Sequence, residues 1–226
     1  MIHHQLNISL KTLLLLLAIS SSALIAQGQL PIEGLNRHIE AVQREFEVPG
    51  LSVAIVKDGK TVLTRGYGIV KLGKPTRVNE KTLFPIASNT KGVTATALGI
   101  LVDRGDLQWE QKVIDYLPAF QLSNPYVTRE ITVRDLLVHR SGLSLGAGDL
   151  LFWPPTSLTR KEIVQKLRYV PLTSSFRSRY AYDNVLYPVA GELIEAVSGM
   201  TWENFLTHNI FQKVGNIIFD NSRKSP

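Results

Sequence analysis

The sequence predicts an α+β fold in which an antiparallel hairpin precedes a succession of helices. Apolar residues recur at helical spacing through residues 31–47, and two β-rich stretches flank an Asp58-Gly59 turn. Beyond residue 84, longer helical patterns alternate with Gly and Pro stops.

The first helix is read from Ile32, Leu35, Ile39, Val42 and Phe46, and it stops before Val48-Pro49-Gly50. Residues 51–56 and 61–67 form the hairpin strands, joined through Lys57-Asp58-Gly59-Lys60, where Asp-Gly is a strong two-residue turn signal. Residues 68–82 are polar and turn-rich. An uncharged run from Gly92 to Val102, closing on Asp103-Arg104-Gly105, reads as a mostly buried helix with a glycine near its end. Asp115-Tyr116-Leu117-Pro118 closes a short segment, and residues 131–139 read as a short helix capped at Thr132. A Gly- and Pro-rich passage over residues 141–155, holding Phe152 and Trp153, is expected to border a pocket. Helices follow over residues 159–169, 185–197 (ending at Ser198-Gly199) and 201–213, with a loop over 171–180. There is no internal repeat.

Ser88 opens the buried helix, since Pro85 biases Phe84 toward an extended conformation. A serine there is commonly an N-cap. Lys91 argues for more, because a capping box wants Glu or Gln three residues on and a cation in the first turn faces the positive end of the helix dipole. Residues three apart share a helical face, so the Lys91 amine can reach the Ser88 hydroxyl. That pairs a weak nucleophile with a proton acceptor at a helix N-terminus, whose N–H groups suit an oxyanion.

Tyr182-Asp183-Asn184, between a polar loop and a helix, is the second candidate. On its own it reads as turn chemistry plus a buried aromatic. Beside Ser88 and Lys91, a phenol could pass protons and an Asn side chain could hold a substrate amide. Asp183 is expected to be a solvated turn residue, and His139 a structural histidine at a helix end. Gly142-Leu143-Ser144-Leu145-Gly146 matches a G-x-S-x-G nucleophile elbow, which needs a strand before it and a helix after it. Neither is expected here. Trp153, Tyr180 and Tyr187 are candidate pocket aromatics or core packing.

Composition limits the alternatives. The chain has 226 residues, 44% hydrophobic and 19% charged, which suits one globular domain and excludes disorder. The formal charge is +6, but basic residues are scattered without a long run, which argues against a nucleic-acid partner. The five histidines show no ligand spacing, so no metal is expected. Without cysteine there is neither a disulfide nor a thiol for a lipid. The leucine-rich residues 13–19, followed by serines and small residues to Gly28, read as a secretory signal over residues 1–28, with an uncleaved anchor as the alternative. The mature product is then periplasmic or secreted, without stable membrane insertion.

Three motifs in order now resemble a family: Phe84-Pro85-Ile86-Ala87-Ser88-Asn89-Thr90-Lys91; Thr132-Val133-Arg134-Asp135-Leu136-Leu137-Val138-His139-Arg140-Ser141-Gly142-Leu143; and Tyr182-Asp183-Asn184 with Tyr187 and Gly191-Glu192-Leu193-Ile194-Glu195-Ala196-Val197-Ser198-Gly199. Together they resemble the serine β-lactamase and penicillin-binding-protein superfamily, in its class C β-lactamase, D-alanyl-D-alanine carboxypeptidase and carboxylesterase branch. The resemblance implies a β-lactamase/transpeptidase-like fold, an antiparallel sheet with flanking helices plus an all-helical lobe. It implies Ser88 as nucleophile, Lys91 as its proton partner, Tyr182 as base and then acid, and Asn184 as the residue that holds the acyl amide. No metal or cofactor is implied, and the histidine-containing second motif is a packing signature.

The family's third motif, Lys or His with a glycine two later on a C-terminal strand, has no counterpart in place. Lys57-Asp58-Gly59 lies in the hairpin, Lys71-Leu72-Gly73 precedes the nucleophile, and Lys213-Val214-Gly215 falls at a turn. Residues 216–226 cease to resemble the family. Residues 29–226 are therefore expected to be a partial, C-terminally truncated domain lacking the remaining strands. The expected function is an exported serine hydrolase acting through an acyl-enzyme on an amide, β-lactam or ester, in a small molecule or peptide, and weakly active or inactive as this chain. The alternatives are a non-catalytic remnant or binding protein of the same fold, and a Ser144 esterase.

Overall fold

In the computed structural model, residues 31–215 are described. The expectations for residues 1–28 and 216–226 lie outside them. The chain divides into two compact units, one ending at Pro85 and one beginning at Ile86.

In the first unit, helix α1 (Ile32–Glu45) is followed by strands β1 (Gly50–Lys57) and β2 (Lys60–Gly68). They pair antiparallel from Gly50 opposite Gly68 to Lys57 opposite Lys60, with a register shift at Ile55/Val56. Asp58 and Gly59 have φ of 51° and 71°, the left-handed pair that an Asp-Gly hairpin turn requires. The helix is tied to the hairpin by Tyr67, whose hydroxyl donates to Asn36 Oδ1 (2.5 Å), and by Gln43 Nε2, which donates to the carbonyl of Val48 (3.0 Å). Gly66 is required by close approach, since a Cβ there would lie 2.5 Å from the Val78 carbonyl. Phe46, at the end of the helix's apolar stripe, stays 71% exposed.

The second unit is helical. Its elements are α2 (Thr90–Asp103), α3 (Val113–Tyr116), α4 (Pro125–Glu130), α5 (Arg160–Lys166), α6 (Leu186–Ser198) and α7 (Trp202–Leu206). Ala97, Leu98 and Leu101 of α2 share one buried cluster with Val189, Ala190, Leu193 and Ile194 of α6 and with Phe205 and Leu206 of α7. Burial of this apolar surface is the main stabilising term, at about 25 cal/mol per Å². Helix α2 ends through Gly105 (φ 80°) and α6 at Gly199 (φ 69°), as the glycine signals predict. Thr159 and Glu162 form a reciprocal capping box on α5.

Two readings need correction, and one helix went unread. The helix expected over residues 131–139 is only a 3₁₀ turn, Arg134–Leu136. The N–H groups of Leu136 and Leu137 bond three residues back (3.3 and 3.0 Å), and the left-handed His139 (φ 55°) ends the turn, while Val133 and Arg134 N–H tie its start to the carbonyls of Gln111 and Trp109 (both 3.0 Å). The last helix is α-helical only over Trp202–Leu206 and continues as a π turn, Thr207–Phe211. Helix α4 escaped the periodicity reading because six residues are too few to show one. Its signal was Asn124-Pro125, an N-cap whose Oδ1 accepts from Tyr126 and Val127 N–H, followed by Pro at the first position.

Asp135, only 5% exposed, accepts from Thr132 N–H (2.9 Å) and Oγ1 (2.8 Å) and from Arg177 Nη2 (2.6 Å). Burial works to raise its carboxyl, but hydrogen bonds from Arg177 and Thr132 hold it below the ordinary value. Arg177→Met should therefore destabilise the protein by about 2 kcal/mol, since it leaves a buried carboxylate without its cation. Urea unfolding at neutral pH checks this, and an unchanged midpoint would sink it.

Candidate active site

Ser88 lies in a 3₁₀ turn, Ala87–Asn89, that runs into α2. Ala87 has φ of 44°, a left-handed conformation that costs a residue with a Cβ about 1 kcal/mol or more and tips the turn so that Ser88 is exposed. The serine is not an N-cap, because no side chain caps either helix start. Its Oγ instead meets the Tyr182 hydroxyl at 2.8 Å.

Lys91 follows one helical turn later on the same face. Its Nζ donates to Ser88 Oγ (3.3 Å) and to Asn184 Oδ1 (2.7 Å) and lies 4.7 Å from the centre of the Tyr182 ring and 5.1 Å from that of Tyr187. Since Lys91 donates to Ser88, the serine's own proton is free to point at Tyr182. Two aromatic faces and an amide oxygen thus receive the only charged side chain between Lys81 and Asp103.

Two tyrosines beside this ammonium are driven apart. Tyr182 is held below the ordinary phenol value, first by Lys91 and next by the Ser88 hydroxyl. Tyr187 is pushed up to about 12 by burial, and its hydroxyl donates to the Leu137 carbonyl (3.2 Å). Tyr182 is therefore the phenol of the pair that gives up its proton more readily.

The floor beneath Tyr182 is His139, whose ring stacks on the phenol at 4.6 Å. Its Nδ1 accepts from Asp183 N–H (3.2 Å), which leaves Nε2 to carry the proton of the neutral ring. Burial, and then the Lys91 charge, lower its pKa. Asp183 departs from expectation: it is fully buried, accepting from Ser141 Oγ (3.4 Å) and Leu186 N–H (3.4 Å). It lies under the first turn of α6, where burial raises its carboxyl to about 6.

A cavity of about 410 Å³ opens beside Ser88, Lys91 and Asn184 and is bordered by Asp149, Phe152 and Trp153 of the 141–155 loop. Tyr187 lines it as well. Tyr180 does not, standing 67% exposed with its ring edge-on to His139. Ser144 sits in a run of turns with neither a strand before it nor a helix after it, so the nucleophile-elbow reading fails. Asp149 was missed: its Oδ2 accepts from Asn184 Nδ2 (2.9 Å), and neither periodicity nor motif marks it in the sequence. Among the described residues, no group of three or more His, Cys, Asp or Glu could hold a metal ion, and no helix is long and apolar enough to cross a membrane.

The Beta-lactamase family model matches residues 35–217. The chain belongs to this family. An unguisins hydrolase from Aspergillus violaceofuscus is 30% identical over 199 residues, 82% of this chain and 34% of that protein. The octameric penicillin-binding protein homologue from Pyrococcus abyssi superposes with a TM-score of 0.70 at 27% identity, over 82% of this chain and 43% of the other. The D-amino acid amidase of Ochrobactrum anthropi SV3 gives 0.64 at 28% identity, over 77% and 47%. The chain thus spans between a third and a half of these relatives. They support a serine-hydrolase family and a β-lactamase/penicillin-binding-protein fold, of which this chain covers part.

Because Asp183 holds its proton up to about pH 6 when folded and an exposed Asp releases it near 3.8, the folded state binds the extra proton between those values. The contribution of Asp183 to stability then falls as pH rises from about 4 to 6. Asp183→Asn should abolish that decline and leave the protein more stable than the wild type at pH 7, by about 2 kcal/mol. Urea unfolding at pH 4 to 7 checks this; a variant less stable at pH 7 would refute it.

Proposed function

We propose that the chain is part of an exported serine hydrolase that forms an acyl-enzyme on Ser88. The observation that supports this most directly is the 2.8 Å contact between Ser88 Oγ and the Tyr182 phenol, the hydroxyl that Lys91 makes more acidic. In this reading residues 1–28 direct export and residues 29–226 belong to the hydrolase domain. N-terminal sequencing of the exported product, starting near residue 29, is the check on that division.

The phenolate of Tyr182 takes the proton of Ser88 as Oγ attacks the substrate carbonyl. Charge moves onto the carbonyl oxygen, where the backbone N–H of Ser88 at the helix start receives it. As the carbonyl re-forms, Tyr182 returns the proton to the departing amine or alcohol, and the acyl group stays on Oγ. Water then repeats the sequence with Tyr182 again as base. Lys91, which donates to Ser88 Oγ and lies against the Tyr182 ring, steadies the phenolate and the serine. Asn184 keeps one N–H for the acyl amide, since its carbonyl is occupied by Lys91 and the other N–H by Asp149.

The substrate class is an amide, β-lactam or ester of a small molecule or peptide. A cavity walled by Phe152, Trp153 and Tyr187 suits an apolar acyl side chain. The relatives named for hydrolase and amidase activity are compatible with this range.

Intact-mass analysis after exposure to a fluorophosphonate, and separately to a penicillin, should show one adduct per chain that disappears in Ser88→Ala. An adduct that persists in Ser88→Ala, or none in a folded wild-type chain, would reject the nucleophile. The labelling rate should rise with pH along a limb whose midpoint lies below the ordinary phenol value of about 10. In Lys91→Met that midpoint should move upward. A midpoint indifferent to Lys91 would remove Tyr182 as the base.

A further inference from the structure

Given that reading of the site, we propose that Asp149 is its positioning residue: it locks the Asn184 amide in the one orientation that anchors Lys91 beside Ser88 and Tyr182. Asn184 sits between opposite charges, with Nδ2 donating to Asp149 Oδ2 (2.9 Å) and Oδ1 accepting from Lys91 Nζ (2.7 Å). Turned over, the amide would set its NH₂ against the ammonium and its oxygen against the carboxylate. Both contacts would become repulsive. The two charges therefore hold the amide, and the amide holds the lysine.

The loop is shaped to deliver this carboxylate. Gly148 precedes it with φ of 76°, and a Cβ there would lie 2.9 Å from Val185 Cγ1, so only glycine brings the chain this close to the start of α6. The N–H groups of Phe152 and Trp153 close the following turn on the main-chain carbonyl of Asp149 (3.0 and 2.8 Å). The side chain meets Asn184 Nδ2 through Oδ2. Its second oxygen, Oδ1, is buried without a hydrogen-bonding partner among the described residues. A carboxylate placed so poorly for its own sake is better explained by what it holds than by turn chemistry.

Two effects of removing Asp149 have opposite signs, which makes the role measurable without turnover. Loss of a negative charge alone favours the Tyr182 phenolate and lowers its titration midpoint. Release of Asn184 lets Lys91 leave the phenol and raises it. Tyrosinate absorbance is titrated in the wild type, Asp149→Ala and Asp149→Leu, each paired with the same chain carrying Tyr182→Phe so that the difference reports Tyr182. Asp149→Leu fills the same space without a polar atom, so the result can be read from whichever variant keeps a native near-ultraviolet dichroism spectrum. The Tyr182 midpoint should rise by about one unit. A fall or no change in a folded variant overturns the proposal. Failure of the Ser88 nucleophile would show separately, as a wild-type chain that titrates normally but takes no Ser88 adduct.

Discussion

Ser88 and Tyr182 are separated by 94 positions and meet because helix α2 packs on helix α6. Nothing polar drives that approach. Ala97, Leu98 and Leu101 are drawn out of water against Val189, Ala190, Leu193 and Ile194, and the reactive groups ride at the N-terminal ends of the two helices. The contact between two hydroxyls is thus a by-product of apolar burial further along each helix. Because the core is closely packed, a small rotation of either helix would separate the pair.

Around that contact, charge is placed economically. Lys91 is taken up by Asn184 and by the faces of Tyr182 and Tyr187, and Asp149 balances it through the amide. The two phenols differ because one stands near solvent with Lys91 and Ser88 as neighbours, while the other is half-buried against a carbonyl. Beneath them the second motif, from Thr132 to Leu143, is a support. His139 stacks on Tyr182, Ser141 reaches the buried Asp183, and Asp135 fastens the return loop through Arg177.

The chain's share of its family shapes what these residues mean. It covers less than half of the penicillin-binding protein homologue and of the amidase to which it is similar. Within residues 31–215, the first unit carries the hairpin and the second carries the Ser88 cluster, and each has its own local reasons to fold as it does.

The sequence by itself determined the local elements: the Asp-Gly hairpin, the amphipathic first helix, and the buried helix behind Ser88 with its glycine stop. These depend on neighbours in the chain, through φ preferences, side-chain periodicity and caps, and so they are written in the residues that form them. It also marked Ser88, Lys91, Tyr182 and Asn184, because their spacing matches a family pattern. Only the tertiary structure decided what lies between them. Asp183 is buried instead of solvated because His139, Ser141 and the first turn of α6 close over it. Residues 131–139 do not extend into a longer helix because the chain turns left-handed at His139 (φ 55°), whose carbonyl accepts from Ala181 N–H (2.8 Å). Asp149 carries no signal in one dimension, since the side-chain partner it meets among the described residues is an amide 35 residues away. Burial and long-range hydrogen bonding belong to pairs of segments, and a single sequence does not state which segments will meet.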